Sequence, residues 1–116
     1  SNGGKWDVIG LSVYPYWFTP SNDWAKCNAQ TLANMNDMVS RYNKEVMVVE
    51  CGMSWDSPQA CKSFLSDLIA KVKLVNNKKG LGVIYWEPQS YGGWEGYTLG
   101  AFDNSGKPTA ALDAFK

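Results

Sequence analysis

Glu45-Val-Met-Val-Val-Glu50 is a short, nearly unbroken apolar run that ends on a carboxylate. Two further runs share its character: Asp7-Val-Ile-Gly-Leu-Ser-Val-Tyr14 before it and Leu81-Gly-Val-Ile-Tyr-Trp86 after it. None alternates apolar with polar residues, so each reads as a strand of a parallel sheet covered on both faces. Between the first two, Leu32, Met35, Val39 and Tyr42 recur at helical spacing, which predicts a helix from roughly Trp24 to Tyr42 with Asn43 as its stop. Between the second and third, Ser57-Pro58 reads as an N-cap followed by proline in the first turn. Cys61, Phe64, Leu65, Leu68, Ile69, Val72 and Val75 then form one apolar stripe. Lys71, Lys73, Lys78 and Lys79 crowd its end, where cations oppose the negative pole of the helix dipole. Gly80 leads into the third strand, followed by a Gly/Trp/Tyr-rich loop from Gln89 to Gly100, a turn at Asp103-Asn-Ser-Gly106, and a short helix begun by Pro108. The order β-α-β-α-β-loop-α implies a parallel α/β sheet with right-handed crossovers.

Composition narrows the chemistry. The chain has 116 residues, one domain's worth or less, and no linker divides it. Lys+Arg and Asp+Glu balance at 11 each, so no net field favours nucleic acid or an anionic membrane. No apolar run approaches the roughly 18 residues of a membrane span, and no signal peptide is visible. Cys27, Cys51 and Cys61 show no C-x-x-C spacing and there is no histidine, which argues against a zinc site and for thiols held free in a core. Six tryptophans and six tyrosines suit the apolar faces of sugar rings, though aromatics also fill cores and interfaces.

Polar and aromatic residues gather where all three strands end: Ser12-Val-Tyr-Pro-Tyr-Trp17, Glu50-Cys-Gly-Met-Ser-Trp55 and Tyr85-Trp-Glu-Pro88. In a parallel α/β fold that edge binds ligands, and no glycine-rich phosphate loop points to a nucleotide. Glu50 follows an apolar run, where an unpaired carboxylate is costly to desolvate. Pattern alone reads it either as a functional carboxylate or as a strand-end group that is solvated or paired with lysine. Glu87 holds the equivalent place one strand later, and its plainer reading is a hydrogen bond that orders the Pro88 loop. Tyr14 and Trp86 are equally packing residues near the mouth of the sheet.

The runs Trp6-Asp-Val-Ile-Gly-Leu-Ser-Val-Tyr-Pro-Tyr-Trp17, Val46-Met-Val-Val-Glu50 and Gly82-Val-Ile-Tyr-Trp-Glu-Pro88 together resemble glycoside hydrolase family 53, the arabinogalactan endo-β-1,4-galactanases. Leu99-Gly-Ala-Phe-Asp103 and Gly106-Lys-Pro108 extend the resemblance over essentially the whole chain. It implies strands six to eight of a (β/α)8 barrel, the C-terminal portion of a retaining β-glycanase, so that residues 1–116 form part of a catalytic domain. A full barrel needs roughly 250 residues, which leaves about five βα units outside this stretch.

By resemblance, Glu50 is the nucleophile, Tyr14 hydrogen-bonds it, and Trp86 floors the subsite for the cleaved sugar. Trp17, Trp94 and Glu87 are weaker candidates for substrate contact. The acid/base glutamate of the family lies in an Asn-Glu pair, and no such pair occurs here. The fragment alone is therefore expected to be inactive. Its partners would be β-1,4-galactan and either the missing barrel segment or a second copy, with no cofactor and no metal. Some family members bind calcium in late loops, but Glu95 and Asp103 stand too far apart to form a calcium loop. A polymeric substrate implies an extracellular, periplasmic or cell-surface location. Three alternatives stay open at this point: a mannanase or cellulase, a carbohydrate-binding module, and a half-barrel interaction protein.

Overall fold

The three apolar runs pair side by side as parallel strands, β1 (Val8–Val13), β2 (Glu45–Cys51) and β3 (Gly80–Val83), in the order β1-β2-β3. This computed structural model describes residues 3–18 and 23–116. A four-residue helix α1 (Pro15–Phe18) follows β1, and the crossovers carry α2 (Trp24–Tyr42) and α3 (Pro58–Lys73). Among the described residues, no helix is long and apolar enough to cross a membrane.

The helix limits have local causes. Asp23 caps α2 by accepting from the Lys26 N–H at 3.0 Å. Asn43 ends it in the left-handed region, φ 51°, and Lys79 Nζ donates to its carbonyl at 3.1 Å. Pro58 stands in the first turn of α3 as anticipated, but the Ser57 hydroxyl turns aside to Asp56 at 3.1 Å and caps no N–H.

Three expectations change. The sheet ladder ends at Val83 instead of Trp86, although Ile84 N–H still donates to Val48 O (2.9 Å) and Trp86 N–H to Cys51 O (3.0 Å). The final helix is a 3-10 turn, Ala110–Phe115, capped by Thr109 and not by Pro108. Among the described residues only one face of the sheet is covered. Val46, Val48 and Cys51 pack into a core with Met35, Val39, Phe64, Leu65, Leu68 and Val72 from the two long helices. On the other face Val8, Val49, Leu81, Ile84 and Trp86 remain exposed. An apolar run therefore marks strands that have two apolar faces, one of which the described residues leave uncovered. Both β1 and β3 are edge strands.

One polar link ties the helices together. The wholly buried Asn28 of α2 donates Nδ2 to Phe64 O at 3.0 Å and to Asp67 Oδ2 at 2.9 Å, while Lys71 Nζ reaches Asp67 Oδ1 at 2.8 Å. Burial opposes the Asp67 charge, but the hydrogen bonds from Lys71 and Asn28 and the Lys71 charge outweigh it and lower its pKa. A carboxylate depressed in the folded state contributes stability that is complete above the unfolded value and lost as pH falls through the folded one. In urea titrations the wild type should lose stability below about pH 4 more steeply than Asp67→Asn. Parallel pH dependences would remove Asp67 from the acid response.

Candidate active site

A bulge in β2 sets the site. Leu11 pairs with Val48 and Ser12 with Glu50, so Val49 is left without a partner. Gly10 makes room for it, since a Cβ there would lie 3.0 Å from both Val49 methyl carbons. The extra residue reverses the alternation of the strand. Val46 and Val48 face the helices, and strict alternation would bury Glu50 with them. Instead Cys51 enters the core and Glu50, half-buried, turns to the open face.

Tyr14, on the same face one residue beyond β1, meets it there. Its hydroxyl donates to Glu50 Oε2 at 3.4 Å. That is longer than the usual 2.7–2.8 Å, as catalytic hydrogen bonds often are before substrate tightens a site. Trp17 packs edge-on against the Tyr14 ring with centroids 5.0 Å apart. Among the described residues no lysine pairs with Glu50, so the solvated-or-paired reading loses its ion-pair form. Trp86 lies at the end of the neighbouring chain segment, its N–H bonded to Cys51 O at 3.0 Å and its indole about half exposed.

Glu87 and Trp94 lie beyond β3, Glu87 near enough for its charge to raise the pKa of Tyr97. With Gln89, Ser90, Tyr91 and Gly93 they line an open cleft of about 580 Å³. The loop is ordered by Glu87, but through its carbonyl and not its carboxylate: Ser90 Oγ donates to Glu87 O at 2.7 Å. Glu87 itself holds φ 46°, a left-handed conformation that costs a non-glycine residue about 1–2 kcal/mol. The structure thus joins Tyr14, Glu50 and Trp17, sets Trp86 on the same edge, and places Glu87 and Trp94 in the lining of a cleft.

Sequence reasoning missed Tyr97. Its hydroxyl donates to Trp86 O at 3.4 Å and also interacts with the Tyr14 hydroxyl. No local signal marks it among the aromatics of the Gln89–Gly100 loop, because its role comes from where that loop folds back. Burial, then Tyr97, then Glu50 raise the pKa of Tyr14, and burial chiefly raises that of Tyr97. Both phenols therefore stay protonated at neutral pH, and Tyr14 remains a donor. Cys27, Cys51 and Cys61 are free and buried, and burial raises all three thiol pKa values. None is therefore a thiolate nucleophile at neutral pH. Among the described residues no group of three or more Cys, Asp or Glu side chains is placed to hold a metal ion.

Comparison with known proteins identifies the family and the fold. The sequence model of glycosyl hydrolase family 53 matches residues 1–60 and 56–115. An uncharacterized protein of Niallia circulans is 27% identical over 130 residues, which cover 92% of this chain and 34% of the relative. The arabinogalactan endo-beta-1,4-galactanase of Cellvibrio japonicus is 29% identical over 106 residues, covering 72% of this chain and 26% of the relative. The family 53 catalytic domain of Ignisphaera aggregans superposes with a TM-score of 0.75 at 23% identity, over 98% of this chain and 39% of that one. The fold is thus part of a (β/α)8 barrel, and the chain spans about a third or less of the curated relatives it matches.

Proposed function

Because the chain belongs to glycosyl hydrolase family 53, we propose that it forms the nucleophile-bearing, C-terminal part of a retaining endo-β-1,4-galactanase barrel, contributing strands six to eight. The observation that carries this reading is the Tyr14–Glu50 hydrogen bond at the C-terminal edge of the sheet. Glu50 attacks the anomeric carbon and forms a covalent galactosyl-enzyme. A second carboxyl, about 5–5.5 Å away and supplied by the remainder of the barrel, protonates the leaving oxygen and then activates water. Tyr14 aims the nucleophile, Trp86 stacks beneath the cleaved sugar, and Trp17, Trp94 and Glu87 contact flanking residues of the glycan. The remainder of the barrel packs on the uncovered face and pairs with the free edges of β1 and β3. A polymeric substrate places the enzyme outside the cytoplasm, secreted or at the cell surface.

The test is reducing-end release from β-1,4-galactan by the intact barrel domain and by the 116-residue chain alone, with the anomer of the first product read by NMR. The intact domain should cut and release the β-anomer first. The chain alone should fall short by at least the roughly 10²–10⁴-fold that general acid–base assistance supplies. An α-anomer would overturn the retaining mechanism, and cleavage of mannan or cellulose in place of galactan would overturn the substrate.

A further inference from the structure

We propose that the cleft at the N-terminal end of the sheet, opposite the Glu50 edge, binds hexuronate residues of an acidic polysaccharide. The site goes beyond the hydrolytic one and does not depend on Glu50 being the nucleophile.

The cleft encloses about 660 Å³ between the segment that enters β1 and the turn that joins α2 to β2. Lys5, Trp6 and Asp7 line one side, and Arg41, Tyr42 and Lys44 the other. Trp6 and Tyr42 meet edge to face, with centroids 5.6 Å apart and planes at 71°, yet they remain 38% and 46% exposed. A ring met edge-on keeps face area open, and an apolar ring face is a surface on which the C–H side of a pyranose stacks. Gly4 helps to keep the indole open. A Cβ there would lie 3.5 Å from Trp6 Cζ3 and rest against the six-membered ring.

Charge then selects among sugars. Arg41 is engaged by Asp37 at 2.8 Å, whereas among the described residues Lys5 and Lys44 pair with no carboxylate. The whole chain balances 11 cations against 11 anions, so this attraction is local. The cleft lies at the C-terminal end of α2, whose negative pole disfavours a dianion such as phosphate. A single carboxylate suits two ammonium groups in that setting. Asp7 adds an acceptor for hydroxyl donors in the same lining. An acidic peptide would meet it mainly as a repelling charge, while a sugar brings hydroxyls to it. A pyranose ring, several hydroxyls and one carboxylate together describe a hexuronate.

Affinity electrophoresis of the intact barrel domain in gels containing polygalacturonate tests the site. The polymer should retard the domain, and 0.5 M salt, in which the Debye length falls to about 4 Å, should weaken the retardation. Lys5→Glu/Lys44→Glu should weaken it at least about tenfold, the loss of two charge contacts of about 0.7 kcal/mol each. Hydrolysis of neutral galactan should be unchanged in that variant, which also shows that it folds. Trp6→Ala should weaken retardation as well, through loss of the stacking face. Free galacturonate should compete more weakly than the polymer.

Absence of retardation, or equal retardation of the double lysine variant, would overturn the proposal. Equal retardation by methyl-esterified polygalacturonate would remove the carboxylate from recognition, and equal retardation by polyglutamate would remove the sugar. Competition by free galacturonate at the same uronate concentration would overturn the polymer as the source. Failure of the domain to cut galactan would sink the hydrolase reading alone, since retardation by polygalacturonate does not require turnover.

Discussion

Glu50→Gln in the intact barrel domain should lower kcat on galactan by about 10⁴-fold or more, since deleting a nucleophile in a well-studied serine protease costs about 10⁶. The amide keeps the size of the side chain and can still accept from Tyr14, so packing and the 3.4 Å contact change little. What disappears is the anionic oxygen that forms the covalent intermediate. An aryl galactoside with an activated leaving group separates the two possible roles of the carboxyl. Such a substrate relieves the need for an acid but not for a nucleophile. Glu50→Gln should therefore remain inactive on it. Recovery to within about tenfold of wild type would recast Glu50 as the acid.

The largest effect on stability should come from Phe64→Ala. Phe64 is fully buried where α3 meets the sheet, in a cluster with Met35, Val46, Val48, Leu65 and Leu68. Truncating a buried phenylalanine costs about 3–5 kcal/mol, part of it from the cavity left behind. A domain of this size has about 5–15 kcal/mol in total, and this sheet has one face uncovered. Phe64→Ala should lie near the limit of folding, with a urea midpoint far below that of Leu74→Ala. Leu74 is 68% exposed, and its truncation should cost within about 0.5 kcal/mol. Equal midpoints would mean that the core is organised elsewhere.

Most of the fold was legible because its causes are local. Asp23 and Asn43 bound α2 at the two limits its periodicity predicts, and Pro58 opens α3 where its ring is tolerated. The apolar runs located the strands, and the parallel pairing follows from their alternation with helices. What could not be read depends on partners distant in sequence. The ladder of β3 stops at Val83 through its register against β2, which the residues of β3 do not encode. The Ser57 hydroxyl chose Asp56 over the helix end, two options that look alike in a sequence. At the site, strand-end position singled out Glu50 and Tyr14 without deciding between function and packing, their roles came from resemblance to the family, and the structure brings the two side chains within 3.4 Å. Tyr97 was not singled out, because it enters through a returning loop pinned by Trp55 and Tyr85. Glu87 showed the opposite failure: a loop-ordering role was read correctly, but for the wrong part of the residue.

The bulge at Val49 makes the placement of the carboxylate a question of parity. Every residue after it owes its side of the sheet to one unpaired position. Val46, Val48 and Val49 can be exchanged for other aliphatic residues of similar size with the arithmetic intact. Losing Val49 would close the bulge and return the strand to plain alternation, with the glutamate still opposite Ser12 and still on the open face. Over evolutionary time this segment should therefore drift in spelling, and a relative one residue shorter here should lack the bulge while keeping the glutamate on the same side of the sheet.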